Sequence, residues 1–242
     1  MNMMRFTTMK TKLRKYPSIF LILLLAISSC FLTGCVNQHP KDSKKSSQGE
    51  SVETMLEITD PKEKQAVLNA KAKVKALSGN PRIVATSPAV ADICDKLDLD
   101  LVGVPKSSVS KIPSRYKKVK KVGLAMSPDM EIVSSLNPDW ILAPSSLETD
   151  LKPKFEELKN TEYAFLNLRS VQGMYRSVQE LGEIFGKQQE AEKMTKEFTT
   201  FYKSYTKRNK NKKHPKVLVL MGLPGSYVIA TEKSYVGSLV KL

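Results

Sequence analysis

Histidine and cysteine are scarce in this 242-residue sequence, which has two of the former and three of the latter. Three cysteines cannot build a disulfide framework, and two histidines leave little room for general-base chemistry. The sequence also lacks an HExxH motif, a CxxC pair, a phosphate-binding loop and any Ser/His/Asp constellation. We therefore predict that the protein is not an enzyme.

Acidic residues are also few, because 24 Asp and Glu face 39 Lys and Arg, which gives a formal net charge of +15. Such an excess indicates an anionic neighbour, namely a membrane, a wall polymer, an acidic ligand or nucleic acid. The basic runs contain no interleaved aromatic residues, which argues against nucleic acid. The hydrophobic content of 41% excludes disorder throughout and a polytopic membrane architecture.

The N-terminal segment has the pattern of a bacterial secretion signal. Four basic residues lie within positions 10–15, a short aliphatic run follows at 19–27, and Leu-Thr-Gly-Cys closes the segment at 32–35. The last four residues resemble a lipobox, whose cysteine is acylated, for example with palmitate. We predict that 1–34 are a lipoprotein signal peptide and that lipidated Cys35 anchors the protein to the extracellular face of the cell membrane. A plain signal peptide, or a weaker box ending at Cys30, are the alternatives.

The remaining chain divides into four parts. Residues 35–80 hold the lipidated cysteine, a polar tether and a short charged helix, and the fold proper is expected to begin at Pro81. Residues 81–170 alternate apolar β-branched runs with amphipathic helical spacing, which predicts an α/β lobe with a mainly parallel sheet. Thr86-Ser87-Pro88 and Ser127-Pro128 both look like capped helix starts.

A long helical stretch without proline follows, and we assign it to residues 171–212 as a bridging helix that Gly182 and Gly186 could interrupt. Residues 213–242 then show a strand predicted to be buried at 216–221, a turn, a second strand at 227–230 and a helix near Ser234. Two strands and one short helix cannot bury their own apolar faces. Either this unit packs on the bridging helix or the sequence is a fragment, and we favour the second alternative, in which 213–242 are the start of a truncated C-terminal lobe.

Several sequence blocks resemble one family. They are Gly123-x-x-Met126-x-Pro128, Gly225-Ser226-Tyr227 and Lys233-Ser234-Tyr235. With the lipobox and the lobe, bridging helix and lobe order, they resemble the heme-binding lipoprotein family of the iron-regulated surface determinant uptake system. These are class III substrate-binding proteins of ABC importers. The resemblance runs from about Pro81 to Leu242 and implies a class III periplasmic-binding-protein-like α/β fold.

The resemblance implies that one heme b is held between two lobes, with a methionine ligand from the first and a histidine ligand from the second. Met126 is the matching methionine, and its thioether would be an axial ligand of the heme iron. A core-filling methionine is the alternative. His39 lies in the tether and His214 precedes a strand, so neither matches the histidine of the family.

Four further residues are implied to contact heme. Pro88 and Ala89 lie at a helix start, where free N–H groups suit a propionate. Ser107 and Ser108 follow the second strand, although the family commonly has tyrosine at the position of Ser108 and one residue fewer in this loop. An ordinary polar loop is the alternative for the two serines.

The resemblance also implies partners. Glu131 matches a carboxylate that docks on the ABC permease of a heme importer, and the alternative is a carboxylate that only stabilises a helix N-terminus. Cell-wall heme donors upstream are a further expected partner. Competing hypotheses are a ferric-siderophore or cobalamin binder on the same fold, or a non-functional fragment of a heme binder.

The lipid anchor gives a first prediction. Cys35→Ser is expected to release the protein from membranes into the medium, because no acyl chain would hold it, and Cys30→Ser is the matched control that should stay bound. Cell fractionation with immunoblotting measures both. Membrane retention of the Cys35 variant would place the anchor elsewhere.

Overall fold

The structure, a computed structural model, describes residues 56–242, apart from the side chain of Leu223. Cys35, the signal segment and the tether therefore lie outside the described residues. In the described part the strands are β1 (Ile83–Ala85), β2 (Leu101–Val104), β3 (Lys120–Lys121), β4 (Gly123–Leu124), β5 (Ser127–Pro128), β6 (Trp140–Pro144), β7 (Glu162–Leu166), β8 (Leu220–Leu223) and β9 (Ser226–Ile229). The α-helices are α1 (Pro61–Lys75), α2 (Pro88–Lys96), α3 (Met130–Ser135), α4 (Glu148–Glu156), α5 (Val171–Phe185), α6 (Gln188–Asn209) and α7 (Tyr235–Lys241).

The core is a five-stranded parallel sheet in the order β3-β2-β1-β6-β7. Alternate residues of its central strands enter two different apolar clusters. Ile83 of β1 packs into one cluster and Val84 into the other, and the same alternation holds along β6. Both faces of the sheet are therefore buried under helices, as the α/β prediction requires.

The helix start after β1 is the one predicted from the sequence. Ser87 caps α2 by accepting a hydrogen bond from the Val90 N–H at 3.3 Å, and Pro88 stands in the first turn. Ile93 and Cys94 are buried on the inner face. Local capping chemistry and apolar spacing agree here, so this element could be predicted in detail.

The bridging helix is two helices rather than the single one assigned to 171–212. α5 ends at Gly186, whose φ of 71° is the left-handed conformation that glycine adopts at helix ends. α6 then folds back along α5. A Cβ on Gly182 would lie 2.6 Å from the Ala191 Cβ, so a glycine is needed where the two helices meet.

The packed part of the chain begins before Pro81, contrary to the sequence expectation. α1 lies against α5 and buries Val67, and Leu56 before it is also buried. Lys71 of α1 forms an ion pair with Glu183 of α5. The sequence did not predict the packing of α1 on α5, because the apolar residues of α1 are irregularly spaced and few of them face the core.

The C-terminal elements form an antiparallel β8–β9 hairpin followed by α7. The strand expected to be buried at 216–221 is exposed, with Leu218 at 69% and Leu220 at 51%. α7 reaches α5 through Ser238, whose Oγ accepts a hydrogen bond from the Val171 N–H at 3.2 Å. The hairpin and α7 therefore leave much of their apolar surface uncovered among the described residues.

The contact between α1 and α5 gives a second prediction. Burial, and then a hydrogen bond with Glu63, raise the pKa of Glu180 from 4.5 to about 8. The neutral carboxyl is thus the form that the fold prefers. Its stabilising contribution is complete below pH 4.5 and is lost as the pH rises through 8.

Glu180→Gln should therefore match the wild type near pH 5 and have a melting temperature about 2–4 °C higher above pH 8. Thermal melts at the two pH values measure this difference. Glu192→Gln, at an exposed carboxylate of α6, is the control and should shift the melt equally at both. If the difference in melting temperature between Glu180→Gln and the wild type did not change with pH, this carboxyl would be ionised in the fold.

Candidate functional site

The expected heme contacts lie at one edge of the sheet. In a parallel sheet all the strands end at the same edge, and ligands bind in the crevice outside it where the strand order reverses. β1 ends at Ala85, and the first turn of α2 follows, with Pro88 half-buried and Ala89 exposed. The helix start is thus open to solvent. Because proline has no N–H and the Val90 N–H bonds to Ser87, the donor that this first turn offers at the edge is the Ala89 N–H.

Met126 stands at the turn of a short hairpin that follows β3. β4 and β5 pair through Gly123 with Pro128 and Leu124 with Ser127, which leaves Met126 in the connection. Its side chain is 74% exposed. This exposure excludes the core-filling alternative and leaves the thioether available to a ligand.

Backbone contacts fix this hairpin. The Asp129 N–H donates to the Val122 carbonyl at 2.7 Å, closing the base. Gly123 has a φ of 95°, and a Cβ there would lie 2.9 Å from the Asp129 nitrogen. Only glycine satisfies both conditions, so Gly123 shapes the turn that presents Met126.

The helix start expected at Ser127-Pro128 is wrong. Those residues form β5, and α3 begins at Met130 with Asp129 as its cap, accepting from the Glu131 and Ile132 N–H groups at 3.1 and 3.0 Å. Aspartate caps as well as serine does. Ser127 and Pro128 instead pair with Leu124 and Gly123 in the hairpin, so the helix starts after them.

The loop after β2 carries Ser107, half-buried, and Ser108, exposed. The Ser107 Oγ accepts a hydrogen bond from the Ser110 N–H at 3.0 Å, so this hydroxyl stabilises the loop to which it belongs. The neighbouring Lys106 N–H donates to the Gly123 carbonyl at 2.6 Å. The loop that carries the two serines is thereby joined to the Met126 hairpin by a backbone hydrogen bond.

Ser145 was missed by sequence reasoning. It follows β6, the strand beside β1 where the strand order reverses, and its Oγ is buried without a hydrogen-bond partner among the described residues. An unsatisfied buried hydroxyl costs free energy unless a ligand or water completes it. A polar Ser-Ser pair directly after a buried strand was the available signal.

Glu131 lies in the first turn of α3, five residues beyond Met126, and is exposed. Its position suits both readings offered by the sequence, since a carboxylate here stabilises the helix end and also points to solvent. Its backbone N–H donates to the Asp129 side chain at 3.1 Å. Glu131 therefore lies near the Met126 turn in sequence and belongs to a different element, α3.

The other candidate ligands do not join the site. Cys94 is fully buried, and burial raises the pKa of its thiol to about 12, so it is inert as expected. His214 is exposed beyond α6. Within residues 56–242 no group of three or more His, Cys, Asp or Glu side chains could hold a metal ion.

A family comparison decides the class of protein. The periplasmic binding protein model matches residues 83–242, which is most of the described chain. The chain belongs to the periplasmic binding protein family. Its parallel sheet, flanking helices and edge loops have the class III fold of that family, as predicted from the sequence.

Specific relatives of this family are similar in sequence and in structure. The high-affinity heme uptake system protein IsdE of Staphylococcus aureus strain Newman is 41% identical over 166 residues, which cover 68% of this chain and 56% of the relative. The crystal structure of S. aureus IsdE complexed with heme matches with a TM-score of 0.62 and 39% identity over 67% of this chain and 63% of that one. The present chain thus spans little more than half the length of IsdE.

A second solved relative is an ABC transporter substrate-binding protein from Listeria monocytogenes EGD-e. It matches with a TM-score of 0.63 and 45% identity, over 67% of this chain and 62% of that chain. The siderophore-binding periplasmic binding protein BauB matches at 22% identity with a TM-score of 0.55, which shows a shared fold alone. No helix in residues 56–242 has the length and apolar character needed to cross a bilayer.

Proposed function

We propose that this chain belongs to a cell-surface lipoprotein that binds heme b and delivers it to an ABC permease for iron acquisition. The observation that carries the proposal is the exposed Met126 thioether, held on a hairpin at the ligand-binding edge of the sheet. The relatives of this chain are substrate-binding proteins, in keeping with the expectation that the protein is not an enzyme.

The edge supplies three kinds of contact that suit heme. Met126 offers a soft, neutral ligand for the iron. Pro88 and Ala89 begin α2, and the Ala89 N–H at this positive helix end suits a propionate. Ser107, Ser108 and the unpartnered Ser145 add hydroxyls around the same edge. A methionine at this edge, where a siderophore binder would have arginine and tyrosine, favours heme over a ferric siderophore.

Binding is expected to need a second wall. Heme gains affinity mainly by burying its apolar macrocycle, and the loops around Met126 cover one face. Among the described residues no histidine stands opposite Met126. We therefore expect these 242 residues alone to bind heme weakly, and a form with a complete second lobe to bind it tightly.

The ligand assignment gives a third prediction. In a form with a complete second lobe, Met126→Ala should shift the visible spectrum of bound heme and lower the affinity by about 10- to 100-fold, because an iron ligand is lost. Heme titration followed by absorbance at the Soret band measures both effects. A ferric siderophore or cobalamin in place of heme should give no binding.

Met130→Ala is the matched control. Met130 is half-buried at the start of α3 and packs into the core, so its removal should lower the melting temperature and leave the spectrum unchanged. An unaltered spectrum in Met126→Ala would reject the ligand assignment. Absence of a Soret band in the unsubstituted protein would reject heme binding itself.

Glu131 gives a fourth prediction, about delivery. Its exposed carboxylate is proposed to pair with a basic residue of the permease. Glu131→Ala should leave the heme titration unchanged and slow heme uptake by cells, because an exposed interfacial charge acts mainly on association. Asp129→Asn, which removes a neighbouring negative charge and keeps a side-chain oxygen to cap α3, is the control and should leave uptake unchanged. Uptake equal to the wild type would remove Glu131 from the docking role.

A further inference from the structure

Two segments of the described chain are strongly basic. Residues 101–128 hold seven basic and no acidic side chains, and residues 198–242 hold nine basic side chains and one acidic. The single acid of the second segment, Glu232, pairs with Lys241 at 2.6 Å. In the second segment the excess therefore lies mainly at the end of α6 and in the loop that follows.

Six cations lie within ten residues, and we call residues 207–216 the basic segment. They are Lys207, Arg208, Lys210, Lys212, Lys213 and Lys216. All six are exposed, and none pairs with a carboxylate in the part of the chain that the structure describes. Within residues 101–128 Arg115 is balanced, because it contacts Asp98 and Asp100, each at 2.7 Å. The exposed aromatic neighbours of the basic segment distinguish it from residues 101–128.

Helix stabilisation explains only part of this charge. Lys207 and Arg208 lie in the last turn of α6, where cations interact favourably with the helix dipole. The other four follow the helix, in a loop turned back by the bond from the Lys212 N–H to the Asn209 carbonyl at 2.9 Å. Like charges held within a Debye length repel one another, so an anionic surface would relieve them.

Aromatic side chains lie beside the basic segment. Phe201 and Tyr205 stack at 6.1 Å on α6 and are 61% and 45% exposed. They line a groove of about 900 Å³ together with Lys212 and Lys213. An amphipathic tyrosine ring next to cations, here Tyr205, is typical of a protein surface that meets lipid headgroups.

We propose that the basic segment and its flanking aromatics contact the anionic headgroups of a phospholipid bilayer. The export signal in the sequence favours a membrane over nucleic acid as the anion. If Cys35 is the anchor, the 20 residues from 36 to 55 can span at most about 70 Å, so the same bilayer is within reach. The contact involves none of the residues proposed to bind heme, so it can be tested independently of heme binding.

Vesicle flotation tests this contact. The probe protein is the chain from residue 36 onward, which lacks the signal segment and Cys35 and retains the whole packed core of residues 56–242. It should bind vesicles of equal parts phosphatidylcholine and phosphatidylglycerol, release as salt rises, and ignore vesicles of phosphatidylcholine alone. These are the signatures of an electrostatic contact.

Two matched variants locate the contact. Replacing Lys207, Lys210, Lys212 and Lys213 by Gln should lower the partition coefficient by at least about 10-fold, since each cation near an anionic surface contributes several-fold. Replacing Lys117, Lys118, Lys120 and Lys121 by Gln makes the same change in net charge on the first lobe, where all four are also exposed. That control should lower binding by about twofold or less.

Three results would overturn the proposal. An equal loss in both variants would mean that only net charge matters. Salt-insensitive binding to phosphatidylcholine alone would assign the contact to the exposed apolar hairpin. Release from vesicles by soluble polyphosphate, at a phosphate concentration below that of the lipid, would identify a site for a free polyanion.

Discussion

The pairing of β1 with both β2 and β6 is the constraint on which the first lobe depends. β1 is only three residues long and fully buried, and its neighbours lie parallel to it on either side. A parallel arrangement requires a crossover after every strand and helices over both faces. It also brings all the connecting loops that follow the strands to a single edge. The loops with Pro88, Ser107, Met126 and Ser145 share that edge for this reason alone.

Backbone geometry, rather than side-chain packing, determines how Met126 is presented. Only eight residues, 122–129, join β3 to α3, and they close on themselves through the bond between Asp129 and Val122. Gly123 permits the turn, and its carbonyl also accepts the Lys106 N–H. A flexible thioether is thus carried on a rigid support. A ligand that bound to this sulfur would not incur the cost of ordering a loop.

The sequence predicted the elements in which local and tertiary preferences agree. The capped start of α2, the parallel sheet and the helix at Ser234 follow from capping residues and apolar spacing. It failed where two local options compete. Ser127-Pro128 is a good helix start, but the pairing with Gly123 uses it in a hairpin and Asp129 takes over as the cap. The exposure of Leu220 could not be read from its apolar strand, because periodicity reports which residues prefer burial and not whether a partner surface is present.

The placement of the C-terminal elements rests on α5 and α6. The Ser238 Oγ satisfies the Val171 N–H, one of the free groups at the start of α5, and donates in turn to the Tyr235 carbonyl at 2.7 Å. The Tyr202 hydroxyl of α6 donates to the Leu242 carbonyl at 3.2 Å. These contacts hold α7, rather than the β8–β9 hairpin itself, against the helix pair. Because α5 begins just after β7, the helix pair connects the sheet edge that carries Met126 to the C-terminal elements.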